Sequence, residues 1–318
     1  MTDTEPAAEQ TLSAAQSRHR CWDADIEPGL TIKSGSVVTF ECQPGSGEAI
    51  TPETSLEEAV SAPFPGHALT GPVYVEGATP GDTMEIELLE IEAGNWGHTL
   101  VRPGADGRGL LPEDFEDPYL YHWEISDGTA AFVNDIEVPV HPFPGTIGVA
   151  PDEDTAQSTI PPRRVGGNMD VRYLTKGATL QLPVAVEGAY FSIGDGHAAQ
   201  GDGEVCVTAI ETPLTVTARL TVDSESTIET PRFRSLPDAT ASITRNKFFG
   251  TVGTADSLFD ASKIAVREMI AWLEDNYGLT SQEAYVLCSV AVDLSINELV
   301  NDPNWVVTAK IAETVLPD

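Results

Sequence analysis

From His19 to about Val252 the apolar runs of this chain are short, and glycine or proline stops them. That punctuation constrains the fold more than any other feature. A long helix cannot grow through such breaks, whereas a strand needs only a few residues between turns. Residues 31–33 and 36–40 are two such runs, parted by a turn at Gly35. Residues 71–75 are followed by a Pro/Gly turn at 78–82 and then by the partly alternating run 84–91. Alternation at period two marks a half-buried strand. Pro139, Pro142 and Pro144 predict that residues 138–149 bend or lie at a sheet edge. Residues 152–164, acidic and then rich in Pro and Arg, read as an exposed loop, with a sub-division of the chain placed near 152–165. A second β-rich stretch runs from about Met169 to Val252.

The period then changes. Leu258, Ala261, Ala265, Met269, Trp272 and Leu273 fall on one helical face, and Gly278 is the expected stop. Thr280-Ser281-Gln282-Glu283 is a capping box. It opens a second helix with Ala284, Leu287, Cys288, Ala291 and Leu294 on its apolar side and its polar residues towards solvent. The expected fold is mainly β or α+β: a β-rich sandwich- or barrel-like body with late C-terminal helices. Residues 1–18 read as a disordered acidic tail before a domain spanning 19–318.

Charge narrows the partners. Fifty acidic residues face 17 basic ones, only five of them Lys, for a net charge of -33. No basic stripe exists to displace counterions from a nucleic acid. Scattered acid with few Lys resembles proteins of salt-loving cytoplasms, where salt screens the self-repulsion of the compact state. The N-terminus has no basic or apolar signal region and no run reaches membrane-span length, so the chain reads as cytoplasmic and free of membrane. Cys21, Cys42, Cys206 and Cys288 show no metal or redox spacing and read as small hydrophobes.

One segment concentrates chemistry. Residues 194–204 hold Asp195, His197, Asp202 and Glu204 among four glycines. Asp, His and Glu ligate divalent metals and also move protons. The expectation is a polar loop between two strand-like runs, 180–186 and 205–210. A Gly/Asp turn would have the same composition. Two further places carry suitable groups: Gly166-Gly167-Asn168-Met169-Asp170, which also fits an Asx turn, and His67 ahead of a strand. His98, His122 and His141 read as structural residues or pocket walls. The chain lacks a Gly-x-Ser-x-Gly elbow, a His-Glu-x-x-His helix and a phosphate loop. None of its five Lys sits in the Gly/Ser-rich loop that a Ser-Lys amidase needs.

With these motifs the chain resembles the acetamidase/formamidase family. The resemblance rests on residues 67–82, 142–151, 166–170 and 194–204, with Glu283-Ala284-Tyr285 and residues 289–294 fitting its C-terminal pattern. It implies hydrolysis of short aliphatic amides such as formamide and acetamide to ammonium and a carboxylate, by a mainly-β, metal-containing homo-oligomer. Side-chain chemistry on the matched motifs then places His67, Asp170, Asp195 and His197 around a divalent metal, expected to be zinc, with calcium as an additional structural ion. Glu204 becomes the general base and Asn168 the oxyanion donor, with Trp96 and Phe143 as walls for a small acyl group. A lactamase or another linear-amide hydrolase on the same scaffold, a non-catalytic amide-binding protein, and a purely structural metal are the competing readings. The charge pattern yields its own test: on dialysis from molar salt into low salt the protein unfolds, read by circular dichroism. A structure indifferent to salt contradicts the halophile reading.

Overall fold

The computed structural model describes residues 10–104, 107–236 and 247–317. Two six-stranded sheets form the body. The first orders its strands Gln10–Ser13, Ser36–Cys42, Leu214–Asp223, Thr83–Ala93, Thr179–Pro183 and Arg232–Arg234. The second orders Gly166–Asn168, Phe143–Gly148, Phe191–His197, Leu69–Glu76 and Arg18–His19, and Leu30–Lys33 joins it parallel to Leu69–Glu76. Their facing sides share one core. Phe40, Ile86, Leu88 and Val216 from the first sheet cluster with Val73, Ile147, Phe191 and Ile193 from the second. Phe40 meets Phe191 edge-on, with ring centroids 5.5 Å apart. Sheets joined by such an apolar layer form a sandwich. Neither closes into a barrel. The period-two pattern expected of these strands is visible in Ser36–Cys42, where buried residues alternate with more exposed ones. Strands from before and after residues 152–164 share both sheets.

A second core lies beside the sandwich. It gathers Trp123 and Phe132 near a four-stranded sheet that includes Trp96–Val101 and Tyr119–Ser126, Met269 and Leu273 from helix α2 (Leu258–Tyr277), and Tyr285 and Leu287 from helix α3 (Ser281–Ala291). A three-stranded sheet of Phe248–Ala255, Trp305–Ala312 and Val292–Glu298 completes it, contributing Ile311. The segment after Phe191 passes from one core to the other: Phe191 and Ile193 belong to the first, Ala198, Ala199 and Val205 to the second. The polar residues between them therefore lie at the junction. No helix among the described residues is long and apolar enough to cross a membrane.

Several expectations change. The ordered body starts before His19: Gln10–Ser13 pairs parallel with Ser36–Cys42, because Leu12 has a place in the sandwich core. The rest of the expected tail, residues 1–9, lies outside the described residues. The stretch 194–204 is only half loop, since the strand Phe191–His197 runs into it. Conversely, residues 205–210 form a turn followed by irregular chain rather than a strand. They bind α3 at one end, where Cys206 N–H donates to Ser289 Oγ and the Tyr285 hydroxyl donates to the Val205 carbonyl, and the strand Trp96–Val101 at the other through side-chain bonds of Thr99 and Thr208. Helix α3 ends at Ala291, so Leu294 sits in the strand Val292–Glu298. Burial of residues 284–290 on all sides explains why the helix has no solvent-facing polar stripe. A short helix α1 (Leu56–Ser61), one turn and a half behind its own capping box at Ser55, was not expected.

Both predicted C-terminal signals hold. Gly278 takes φ 65 as the left-handed cap of α2, a conformation glycine adopts without the Cβ penalty. Thr280 and Glu283 exchange hydrogen bonds at the start of α3. Thr280→Ala leaves one helix-end N–H without its acceptor, and the expected cost is about 1 kcal/mol. A lower denaturation midpoint at unchanged m-value checks this.

Candidate functional site

The strand Phe191–His197 is fully buried, and its C-terminal end carries Asp195 and His197. Its neighbour Phe143–Gly148 brings Thr146 opposite both Gly194 and Asn168. Thr146 Oγ1 consequently reaches Asn168 Oδ1 at 2.8 Å and Asp195 Oδ2 at 3.0 Å. Phe143 pairs across from His197 and supports its ring edge-on at 5.1 Å. Asp170 follows Asn168 out of the adjoining strand, and its N–H donates to the Gly145 carbonyl. His67 precedes the strand on the other side and lies 3.8 Å from Asp195 Oδ2. Sheet register alone brings together residues that lie far apart in the chain.

Glu211 completes the cluster, and sequence reading missed it. It forms one backbone bridge with His98 and another with His197. Its carboxylate stands 3.1 Å from His197 Nε2 and also accepts from Gly45 N–H. Ligand atoms of Asp170, Asp195 and His197 all lie within 4.8 Å of one another, and so do those of His197, Glu204 and Glu211. His67, Asn168, Asp170, Asp195, His197, Glu204 and Glu211 line one cavity of about 360 Å³. The expected walls are corrected. Neither Trp96 nor Phe143 lines the cavity: Phe143 is buried beneath His197, and Trp96 stacks on His98 outside it. Ile50, Phe64, Leu100 and Val207 supply the apolar walls instead. His98 lines the cavity, as a pocket wall should. Its burial, reinforced by His122 and His197, pushes its pKa down to about 3, so it stays neutral.

Charge in this cluster is strongly perturbed. Burial pushes the Asp170 carboxyl up to about 7, and Asp195 and Glu211 add repulsion. Burial followed by Asp170 holds Glu204 well above the usual carboxylate range. Burial opposes ionisation of Asp195, but the His67 and His197 imidazoles outweigh it and hold this carboxyl below its usual range. Burial likewise opposes a charged His197, and the Glu211 and Asp195 carboxylates reverse that. Carboxyl groups pushed apart in this way mark functional sites. The backbone is strained at the same residues: Asp170, Asp195 and Glu204 have φ of 50, 59 and 41. Left-handed conformations of non-glycine residues cluster where function demands them.

The donor set fits a divalent cation. It combines imidazole nitrogen with carboxylate oxygen, the mixture that suits zinc and similar metals. Asp170 Oδ1 is buried without a hydrogen-bond partner, and so is His67 Nδ1. Gly145 keeps the floor of the cluster open: a Cβ there would come within 2.6 Å of His197, 2.7 Å of Asp170 and 2.9 Å of Asp195. Behind the cluster Gln200 fixes the imidazole. Its Oε1 is 2.9 Å from His197 Nδ1 and its Nε2 donates to the Asp170 carbonyl. With Nδ1–H given to Gln200, Nε2 faces Asp195 and Glu211, the orientation that partners outside the ligand shell impose on metal-binding histidines.

Known proteins share this arrangement of chain. The crystal structure of an acetamidase from Bacillus halodurans superposes with a TM-score of 0.67 at 31% identity, covering 95% of this chain and 97% of that one. A γ-lactamase from Delftia acidovorans shares the fold with a TM-score of 0.89 at 24% identity, covering 98% and 95%. An acetamidase from Mycolicibacterium smegmatis is 28% identical over 247 residues, 59% of this chain and 61% of that protein. A formamidase from Methylophilus methylotrophus is 27% identical over 240 residues, 59% of each. The chain thus matches less than two thirds of the length of these curated relatives. The model of the Acetamidase/Formamidase family matches residues 3–158 and 153–317. The two matches together span nearly the whole chain, and the protein belongs to the acetamidase/formamidase family.

Proposed function

We propose that this protein hydrolyses carboxylic amides to ammonium and a carboxylate, with a divalent metal bound by His67, Asp170, Asp195 and His197. The observation that carries the reading is the convergence of these four residues with Glu204, Glu211 and Asn168 on one cavity. The names of the acetamidase and formamidase relatives support the amide as substrate. A metal held there would supply Lewis-acid polarisation of the substrate. Zinc is the proposed metal, because the donor set mixes imidazole with carboxylate.

The remaining steps fall to the chain's own groups. Glu204 takes a proton from the attacking water and returns one to the leaving nitrogen, since an amide nitrogen departs poorly unless protonated. Gln200 holds His197 from Nδ1, which leaves Nε2 for the metal, and Glu211 stands 3.1 Å from that nitrogen as a further carboxylate beside it. Asn168 accepts from Thr146 through Oδ1, which leaves its NH₂ for the developing oxyanion. The apolar walls seat the acyl chain, and each methylene contributes about 1–3 kcal/mol to discrimination. A cytoplasmic, homo-oligomeric and halophilic protein is the setting that we propose for this activity.

The test is metal analysis of the purified protein together with ammonia release from formamide and acetamide. His197→Ala loses metal and activity together while the far-ultraviolet spectrum is kept. Metal and activity that both survive remove His197 from the ligand set. Glu204→Gln keeps its metal and turns over about 10²–10⁴-fold more slowly. Near-native turnover by that variant assigns the proton transfer to another group.

A further inference from the structure

The cavity has room for more than acetamide, and two arginines line it. Pockets of about 300–1,000 Å³ enclose drug-sized ligands, and this one measures about 360 Å³. Acetamide, with about four non-hydrogen atoms, falls far short of that class. The carboxylates and histidines form one part of the lining, and Ile50, Phe64 and Leu100 supply an apolar part. Two arginines, Arg102 and Arg108, also line it.

What matters about these two arginines is their place, because they bring positive charge to a cavity in a chain of 50 acidic and 17 basic residues. Arg18, Arg172, Arg219 and Arg267 each pair with a carboxylate. Neither Arg102 nor Arg108 does so among the described residues. Arg102 is spent on structure: its guanidinium donates to the carbonyls of Ala59 and Val60 and so holds the C-terminal turn of α1. Arg108 is exposed, with its guanidinium carbon 5.7 Å from the Phe64 ring centroid. The ring orients it, and its guanidinium N–H donors meet no acceptor among the described residues. Burial weakens proton binding by Arg102, and the charge of Arg108 weakens it further, so the two cations repel. An anion at this point relieves that repulsion, and a guanidinium fork takes a carboxylate in two-pronged geometry.

Resting on the amide-hydrolase reading, we infer that the site takes ω-carboxylated amides, whose far carboxylate binds Arg108 while the amide group reaches the carboxylate–histidine cluster. Hydrolysis then breaks the C–N bond and forms a C–O bond from water. The water oxygen remains on the acyl carbon, both its hydrogens end on nitrogen, and a dicarboxylate and ammonium leave.

The experiment compares kcat/KM for glutaramate and pentanamide, which have equal carbon chains, on the full-length metal-supplemented protein at one fixed ionic strength. The wild type favours glutaramate by about five-fold, the upper end of what an exposed ion pair contributes. In Arg108→Gln the ratio falls towards one, and in Arg108→Lys, which keeps the charge without the fork, it lies between. A wild-type ratio at or below one overturns the inference and leaves amide hydrolysis standing, as does a ratio unchanged in Arg108→Gln. A calorimetric comparison of glutarate with pentanoate binding reads the same contact without turnover. If neither amide is hydrolysed, the amide-hydrolase reading fails. Tighter glutarate binding that Arg108→Gln abolishes then still supports the anion contact, and equal binding overturns it as well.

Discussion

Gathering four carboxyl groups around one imidazole at the end of a buried strand costs free energy, because each charge gives up water and repels its neighbours. Asp170, Asp195, Glu204 and Glu211 nevertheless meet at His197. The fold tolerates this by three means. Asp195 stays ionised between two imidazoles, Asp170 and Glu204 hold their protons to higher pH, and two glycines, Gly45 and Gly145, keep side chains out of the space between. A cation in that space would offset the remaining repulsion, which is the physical reason for proposing one.

The same constraint explains why the cluster sits where it does. Each core alone is apolar, and neither contains the acids. They occupy the seam where the sandwich meets the helical core, and there the main chain can leave regular geometry. The strained φ values at Asp170, Asp195 and Glu204 are local departures held in place by two rigid neighbours.

How much of this could be read from sequence depends on the range of the interaction. Local signals were legible: the Thr280–Glu283 capping box, the Gly278 stop and the strand alternation of residues 84–91 all act within a few positions. His67, Asp170 and His197 could be singled out as chemically suitable, but only register across Phe143–Gly148 and Leu69–Glu76 brings them together. Glu211 carried no local signal, since it stands beside Thr212 and Pro213 and reaches the site through isolated backbone bridges to His98 and His197. Residues 205–210 misled because their β-like composition serves contact with α3. Trp96 and Phe143 were plausible walls by type, yet burial in a strand pair decides which way a side chain faces.

Gly145 has an implication for how such a site can diversify. Its missing side chain reserves the volume between His197, Asp170 and Asp195. Change is therefore closed off from below and open only around the rim, where Phe64, Val207 and Arg108 stand on less regular chain. A lineage of enzymes built on this floor would keep one chemistry and vary what it acts upon.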